Sequence, residues 1–366
     1  MKNDAVLTER KQRIEYIDCA KFICIFLLLV EHAGNWSDLS GGGYSALKLW
    51  ICSFHMPLFF IVYGMVSSYK GLKSWNDWKK YGLHQIKALV VPYVLWAMIY
   101  ANGFGAKFFL GVGYGSNPSL SYANTNAVLW FLPAMFISTL FYQFILNSLE
   151  NKSKSAVYTK LGIWILVLIV IARMCSKVGS IRFPWGIDVA LLGTVFMLVG
   201  HYGVQRVLSY FLQDQNKSIL PLLLCGFIGA VLSYMNKPLN GPYPVTVMAI
   251  AEYGKNIVVF VLGAVTSTTA ILLVSSRIKG KWISYLGQHT LVIMAIHYIL
   301  FPYTLFLAKL IFGNVSSILT ALLNAVLVTI LCVPISIVSN LPIFGHFCHP
   351  IFAHKSTKKA AEAAVL

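Results

Sequence analysis

Ten runs of about 18 or more predominantly apolar residues, each long enough to cross a hydrocarbon core as a helix, occupy almost the whole chain. They fall at roughly 17–38, 46–69, 88–110, 127–149, 161–178, 186–206, 218–236, 255–275, 282–312 and 318–340. Little chain is left from which to build a soluble domain. The composition agrees, with 58% of the 366 residues hydrophobic and only 11% charged, where a soluble domain carries about 25% charged residues. The first run is too long for a signal-peptide core, and no small-residue cleavage site leads into a soluble domain. No linker, internal repeat or low-complexity stretch divides the chain. The expected fold is therefore all-α: a polytopic membrane protein of about ten transmembrane helices. Residues 1–16 form an N-terminal segment, 17–340 a single transmembrane domain, and 341–366 a tail with the mobile composition KSTKKAAEAAVL at its end.

A net charge of +17 in so apolar a chain needs a separate explanation. Nucleic acid is not an expected partner, because 29 Lys and Arg residues spread over this sequence form no continuous basic face. Membrane topology accounts for them better. With the N-terminus inside, twenty of the basic residues fall in cytoplasmic segments, eight in outer ones, and Lys21 within the first helix. That bias places both termini in the cytoplasm and the protein in a bacterial inner or plasma membrane. Seven cysteines are scattered singly, most within apolar runs, and read as small buried hydrophobes. No zinc-type Cys/His spacing, dinucleotide-binding glycine loop or phosphate-binding lysine loop occurs, and no metal is expected.

Ionisable residues inside a bilayer are costly and mark pathways or reaction centres. The first helix carries Asp18, Lys21, Glu31 and His32. Eleven positions separate Lys21 from His32, about three turns plus 20°, so the two share a helix face about 16 Å apart. Asp18 lies close to the same stripe. Glu31 is a neighbour of His32 but about 100° around the helix, which makes it a poor candidate to orient the ring; Asp188 or another residue from a facing helix is the better one. A cation near the cytoplasmic mouth in line with a buried imidazole suits an acyl-CoA, whose phosphates and thioester stand at opposite ends of a long arm. The bland alternative is a Lys21 that snorkels to the headgroups and an interior, hydrogen-bonded His32. His55, in FHMPLFFIVYG, and His297, in YLGQHTLVIMAIHYI, fall at a depth similar to His32 on two other helices. Histidine is the side chain best suited to proton transfer near neutral pH.

These blocks resemble the membrane-bound acyltransferase-3 family, and within it the fucose O-acetylase-like branch. A basic residue, ten residues and a histidine, here Lys21 to His32, are similar to its first-helix signature. FHMPLFF resembles its second-helix motif and LHQIKALVVPY its basic segment before the third helix. VLWFLPAMF, FPWGIDVALLGTVFMLVG and YLGQHTLVIMAIH follow in the family's order, so the likeness runs from about residue 13 to 340. The sequence departs from the family in carrying His84 and Lys87 where many relatives have two arginines, Glu31 where glycine is common, and Tyr63 in place of a serine.

The resemblance implies ten transmembrane helices and transfer of an acyl group, usually acetyl from acetyl-CoA, to a hydroxyl of a cell-envelope sugar, polysaccharide or lipid-linked glycan. It implies His32 as the catalytic residue, Lys21 as its basic partner on the donor side, and Lys87 as a further basic residue before the third helix. With Arg13 these would hold the CoA phosphates as point charges; positive-inside bias explains much of the surrounding basic cluster equally well. His32 would act as general base on the acceptor hydroxyl or accept the acyl group itself. A free imidazole, with a pKa of about 6.5, is largely neutral at pH 7, as either role requires.

On the outer side, Trp130, Trp185, Asp188 and Glu252 form a layer that can hold a glycan, through stacking on sugar faces and acceptance of hydroxyl protons. His55 and His297 join them as candidate acceptor-binding residues. An interfacial aromatic belt explains the tryptophans as well, and helix capping explains Asp188. The loops at 111–126 and 236–254 either close over an acceptor or simply connect helices. Other partners expected are membrane lipid and other enzymes of envelope-glycan synthesis. The competing class is a transporter or flippase of glycans without covalent chemistry. It gains no support from inverted repeats, which are absent between 1–170 and 171–340, and a scaffold protein leaves Lys21, Glu31 and His32 without a purpose.

The charge distribution makes a direct prediction about sidedness. Alkaline phosphatase fused after Lys152 stays inactive and fused after Lys177 becomes active; the opposite pattern would overturn the orientation.

Overall fold

The computed structural model describes residues 15–36, 42–178, 182–213, 218–239, 244–278, 280–312 and 318–339. Arg13, most of the expected N-terminal segment and the tail at 341–366 lie outside the described residues. The described chain is helical, and its one β feature is an isolated bridge between Val247 and Glu252. In chain order the helices are α1 Glu15–Trp36, α2 Gly42–Val66, α3 Trp75–Ile99, α4 Ala106–Tyr114, α5 Asn117–Tyr122 and α6 Ala127–Leu149. Then follow α7 Lys154–Ser176, α8 Pro184–Phe211, α9 Leu220–Met235, α10 Ile257–Ser275, α11 Lys281–Gln288, α12 Thr290–Phe312 and α13 Ile318–Ser339. Eight of the described helices are long and apolar enough to cross a membrane. α1 has the length but carries Asp18, Lys21 and Glu31, and α9 is apolar but shorter.

The third predicted span, at 88–110, is displaced. Its helix begins at Trp75, where Ser74 and Asp77 form a capping box: Asp77 N–H donates to Ser74 Oγ (3.2 Å) and Ser74 N–H to Asp77 Oδ2 (2.9 Å). Hydropathy misses this start because the first turns, WNDWKKYGLHQ, are polar. A π-turn at Ile86–Val90 widens the helix just before Pro92, which has no N–H to contribute. The helix then ends at Ile99, ahead of Asn102, Gly103 and Gly105, and 106–110 belongs to the separate helix α4. The expected loop at 111–126 is likewise mostly helical, with α5 capped by a Ser116–Ser119 box.

α1 sits inside the bundle and packs against α2, α10, α11, α12 and α13. Gly287 of α11 lets that short helix ride directly on α1, since a Cβ there would stand 1.8 Å from the Asp18 carbonyl oxygen. α2 is pressed equally closely against α8. A Cβ on Gly64 would meet the Met197 carbonyl oxygen at 1.9 Å, and one on Gly200 the Ile61 carbonyl oxygen at 2.1 Å. Polar contacts fix α2 on its other side, from Trp50 Nε1 to Ser267 Oγ of α10 (3.0 Å) and between the hydroxyls of Ser53 and Ser233 of α9 (2.7 Å).

The link from α2 to α3 is tied down by one face of α6. Lys70 N–H donates to Gln143 Oε1 (3.2 Å), Gln143 Nε2 to the Ser68 carbonyl (3.2 Å), and Asn147 Nδ2 to the Leu72 carbonyl (2.7 Å). One turn further, Glu150 accepts the Tyr69 hydroxyl (2.8 Å) and pairs with Lys73 (3.3 Å). Those two partners, the tyrosine first, hold the Glu150 carboxyl below the usual carboxylate range. The spacing i, i+4, i+7 places all three side chains on one stripe of the helix.

The helix crossings respond sharply to added volume. Gly64→Val forces α2 and α8 apart, and the detergent-solubilised protein loses about 1–3 kcal/mol or more of stability, read as a lowered melting midpoint. Gly162→Ala on α7, where a new Cβ meets nothing within 4 Å, leaves it unchanged.

Candidate functional site

The centre of the site is a carboxylate–imidazole pair on α1. Glu31 Oε2 lies 2.9 Å from His32 Nδ1. The expectation that Glu31 is too far around the helix to orient His32 is corrected. The backbone directions do diverge, but two methylenes let the glutamate carboxylate swing back to its neighbour's ring. Nor does Asp188 serve that purpose, because it is fully buried and paired with Arg182 at 3.2 Å.

Glu31 is itself firmly held. Its Oε1 accepts Asn35 Nδ2 at 2.7 Å and lies 3.7 Å from Lys48 Nζ, while Lys48 also donates to Asn35 Oδ1. The backbone carbonyl of Glu31 accepts the Tyr44 hydroxyl at 2.7 Å, and Gly34 gives that ring the room to approach. An isolated carboxylate only 4% exposed within a helix bundle is expensive. Here a cation, an amide and an imidazole share the charge. Asn35 was legible in principle, as it lies four residues after Glu31 on the same helix. Lys48 was counted only as an outer-side charge, and no sequence signal ties it to Glu31.

The second and third histidines converge on this pair. The His32 and His297 rings lie stacked, with centroids 5.4 Å apart and planes within 9°, and Tyr298 tilts against His32 at 5.3 Å. His55 comes from α2, and its backbone carbonyl accepts the Cys24 thiol of α1 at 3.1 Å. The tautomers follow from the acceptors. His55 Nδ1 lies 2.9 Å from the Ile51 carbonyl and His297 Nδ1 3.2 Å from that of Ile293, and a carbonyl can only accept. The carboxylate of Glu31 imposes the same choice on His32. In their neutral forms all three imidazoles therefore carry hydrogen on Nδ1 and present Nε2 as a lone-pair nitrogen. His297 Nε2 is buried with no hydrogen-bond partner, the ring being 0% exposed.

The donor-side residues divide. Lys21 pairs with Asp18 at 2.7 Å, three residues before it, and keeps 22% of its side chain exposed. It also lines a cavity of about 210 Å³ whose other walls come from α2, α3, α6 and α12. Lys87 stands on the exposed side of the π-turn and does not line that cavity, whereas Gln85, Ala88 and Leu89 do. The outer residues each have contacts of their own. Trp130 is buried against Phe131 at the head of α6. Trp185 donates Nε1–H to the Gly113 carbonyl (2.8 Å) and meets Phe136 edge-on. Glu252 accepts the Gly254 N–H (3.0 Å) within its own turn. Among the described residues, no group of three or more His, Cys, Asp and Glu side chains is arranged to hold a metal ion.

This architecture and centre define a multi-pass membrane protein with a carboxylate–imidazole pair in the interior of its helix bundle. A protein-family model described as an acyltransferase domain matches residues 14–340. The chain belongs to that family, acyltransferase-3, and is a membrane acyltransferase. No curated protein sequence and no solved structure gives a match.

The buried Arg182–Asp188 pair has its own expected behaviour. Arg182→Ala strands the Asp188 carboxylate and costs about 3–5 kcal/mol, as removal of one partner from a buried ion pair does. The double replacement Arg182→Met, Asp188→Leu recovers most of it, measured by thermal melting in detergent.

Proposed function

We propose that the protein is an integral membrane O-acyltransferase, moving an acyl group, in the simplest case acetyl, from acyl-CoA at the cytoplasmic side to a hydroxyl of a cell-envelope sugar, exopolysaccharide or lipid-linked glycan. The observation that carries this reading is the Glu31–His32 pair, with its basic nitrogen on Nε2, at the far end of α1 from Lys21. The acceptor hydroxyl gives its proton to His32 Nε2 as its oxygen attacks the thioester carbonyl carbon. The tetrahedral adduct collapses with cleavage of the carbon–sulfur bond, and the CoA thiolate takes the proton back from the imidazolium. Glu31 fixes the ring and its tautomer and stabilises the positive charge while it lasts, the part a buried carboxylate plays behind a catalytic histidine. The unpartnered Nε2 of His297 is a hydrogen-bond acceptor that a sugar hydroxyl beside His32 can satisfy.

Lys21, with Lys87 and Arg13, supplies positive charge for the donor phosphates in this reading. The cytoplasmic placement of that end rests on the excess of Lys and Arg in the segments around it. The membrane is then the bacterial inner or plasma membrane, and other glycan-assembly enzymes present the acceptor.

His32→Ala lowers thiol release from acetyl-CoA by about 10²–10⁴-fold, the range for loss of a positioned general base. Glu31→Gln keeps donor affinity but reduces turnover to a level between the wild type and His32→Ala. Membranes carrying the protein with or without His32 are assayed for free CoA, and retained turnover in His32→Ala rejects the assignment. Mass spectrometry of envelope glycan from a deletion strain then identifies the acceptor by its missing acyl ester.

A further inference from the structure

The cavity beside Lys21 lies between the two ends of the proposed site. On α2 its wall includes Phe59, four residues from His55, and on α12 it includes Met294, three residues before His297. Its inner end is thus one helical turn from the histidine layer, and Lys21 lies on its wall toward the other end of α1. The lining is almost entirely hydrocarbon, so a group that fills it has a largely aliphatic surface.

One polar atom in this wall is out of keeping. Gln85 is 1% exposed, and its Oε1 has no hydrogen-bond partner. The hydroxyls of the two neighbouring tyrosines are engaged elsewhere, Tyr63 with the Tyr81 hydroxyl (3.3 Å) and Tyr81 as donor to the Thr139 carbonyl (3.4 Å). An amide oxygen desolvated and unpaired in an apolar wall is unfavourable unless a ligand supplies the missing N–H. A hydrocarbon tail fills such a cavity and leaves that oxygen bare. An aliphatic arm interrupted by secondary amides fills it and satisfies the oxygen.

We propose that Gln85 recognises the acyl donor by accepting a hydrogen bond from an amide N–H of its pantetheine arm, which occupies this cavity on the way from Lys21 to His32. The inference rests on the reading that the donor is an acyl-CoA. It gives Gln85 a part in donor selection distinct from the phosphate-binding cations, since it reads the arm and not the nucleotide.

The test uses the purified full-length protein in nanodiscs and measures binding of three probes: CoA, pantetheine, and adenosine 3′,5′-bisphosphate, which has no arm. Gln85→Leu weakens CoA and pantetheine about tenfold, the worth of roughly one hydrogen bond, and leaves the bisphosphate unchanged. Gln85→Glu, which keeps an acceptor oxygen, stays closer to the wild type than Gln85→Leu for CoA and pantetheine. Equal loss on all three probes in Gln85→Leu means a disturbed fold and overturns the assignment, as does unchanged CoA binding. A wild-type protein that binds none of the probes overturns the donor reading itself, an outcome distinct from failure of Gln85 alone.

Discussion

The hydrogen bond between Glu31 and His32 is the constraint around which the interior is arranged. A carboxylate in the middle of a helix bundle has to be compensated, and its compensation recruits Lys48 and Asn35 from two helices. That fixes how α1 and α2 face each other at this level. The imidazole held by the same carboxylate then has a defined tautomer, and His297 stacks against it from α12. Stability and chemistry share these contacts. The groups that surround Glu31 are also those that keep it aimed at its neighbour.

Around that centre the packing is tight where backbones cross and looser where a ligand could enter. Gly64 and Gly200 bring α2 and α8 to backbone contact, so this part of the wall has no slack. On the Lys21 side the walls stand apart and enclose a cavity whose surface is nearly all side-chain hydrocarbon. The contrast follows from residue size: glycine at the crossings, and Phe59, Leu132 and Met294 at the cavity.

Much of this was legible in the sequence because it depends on periodicity and on the energetic cost of charge in lipid. The apolar runs marked the helices, and Lys21, His32, His55 and His297 were singled out by their unlikely setting. What was missed depends on rotamers and on polar helix ends. Helical spacing counts backbone directions, so it separated Glu31 from His32, although a glutamate side chain is long enough to close the gap. Hydropathy passed over the polar start of α3 at Trp75, and with it the π-turn that sends Lys87 outward and Gln85 inward. Asp188 looked like a free acid near a helix start, and only its partner Arg182, six residues earlier, shows it to be committed to the scaffold.

The position of α1 bears on assembly. It leaves the ribosome before the helices that enclose it, and Asp18, Lys21 and Glu31 make it a poor independent occupant of lipid. Yet α10, α11, α12 and α13, which pack against it, begin more than 200 residues further along the chain. During synthesis its charges have to wait near the interface, near Lys48 or beside the insertion machinery until the C-terminal third arrives. The surroundings of His32 are therefore complete only when α13 has been delivered, and a chain ended before α10 would carry the histidine without that enclosure.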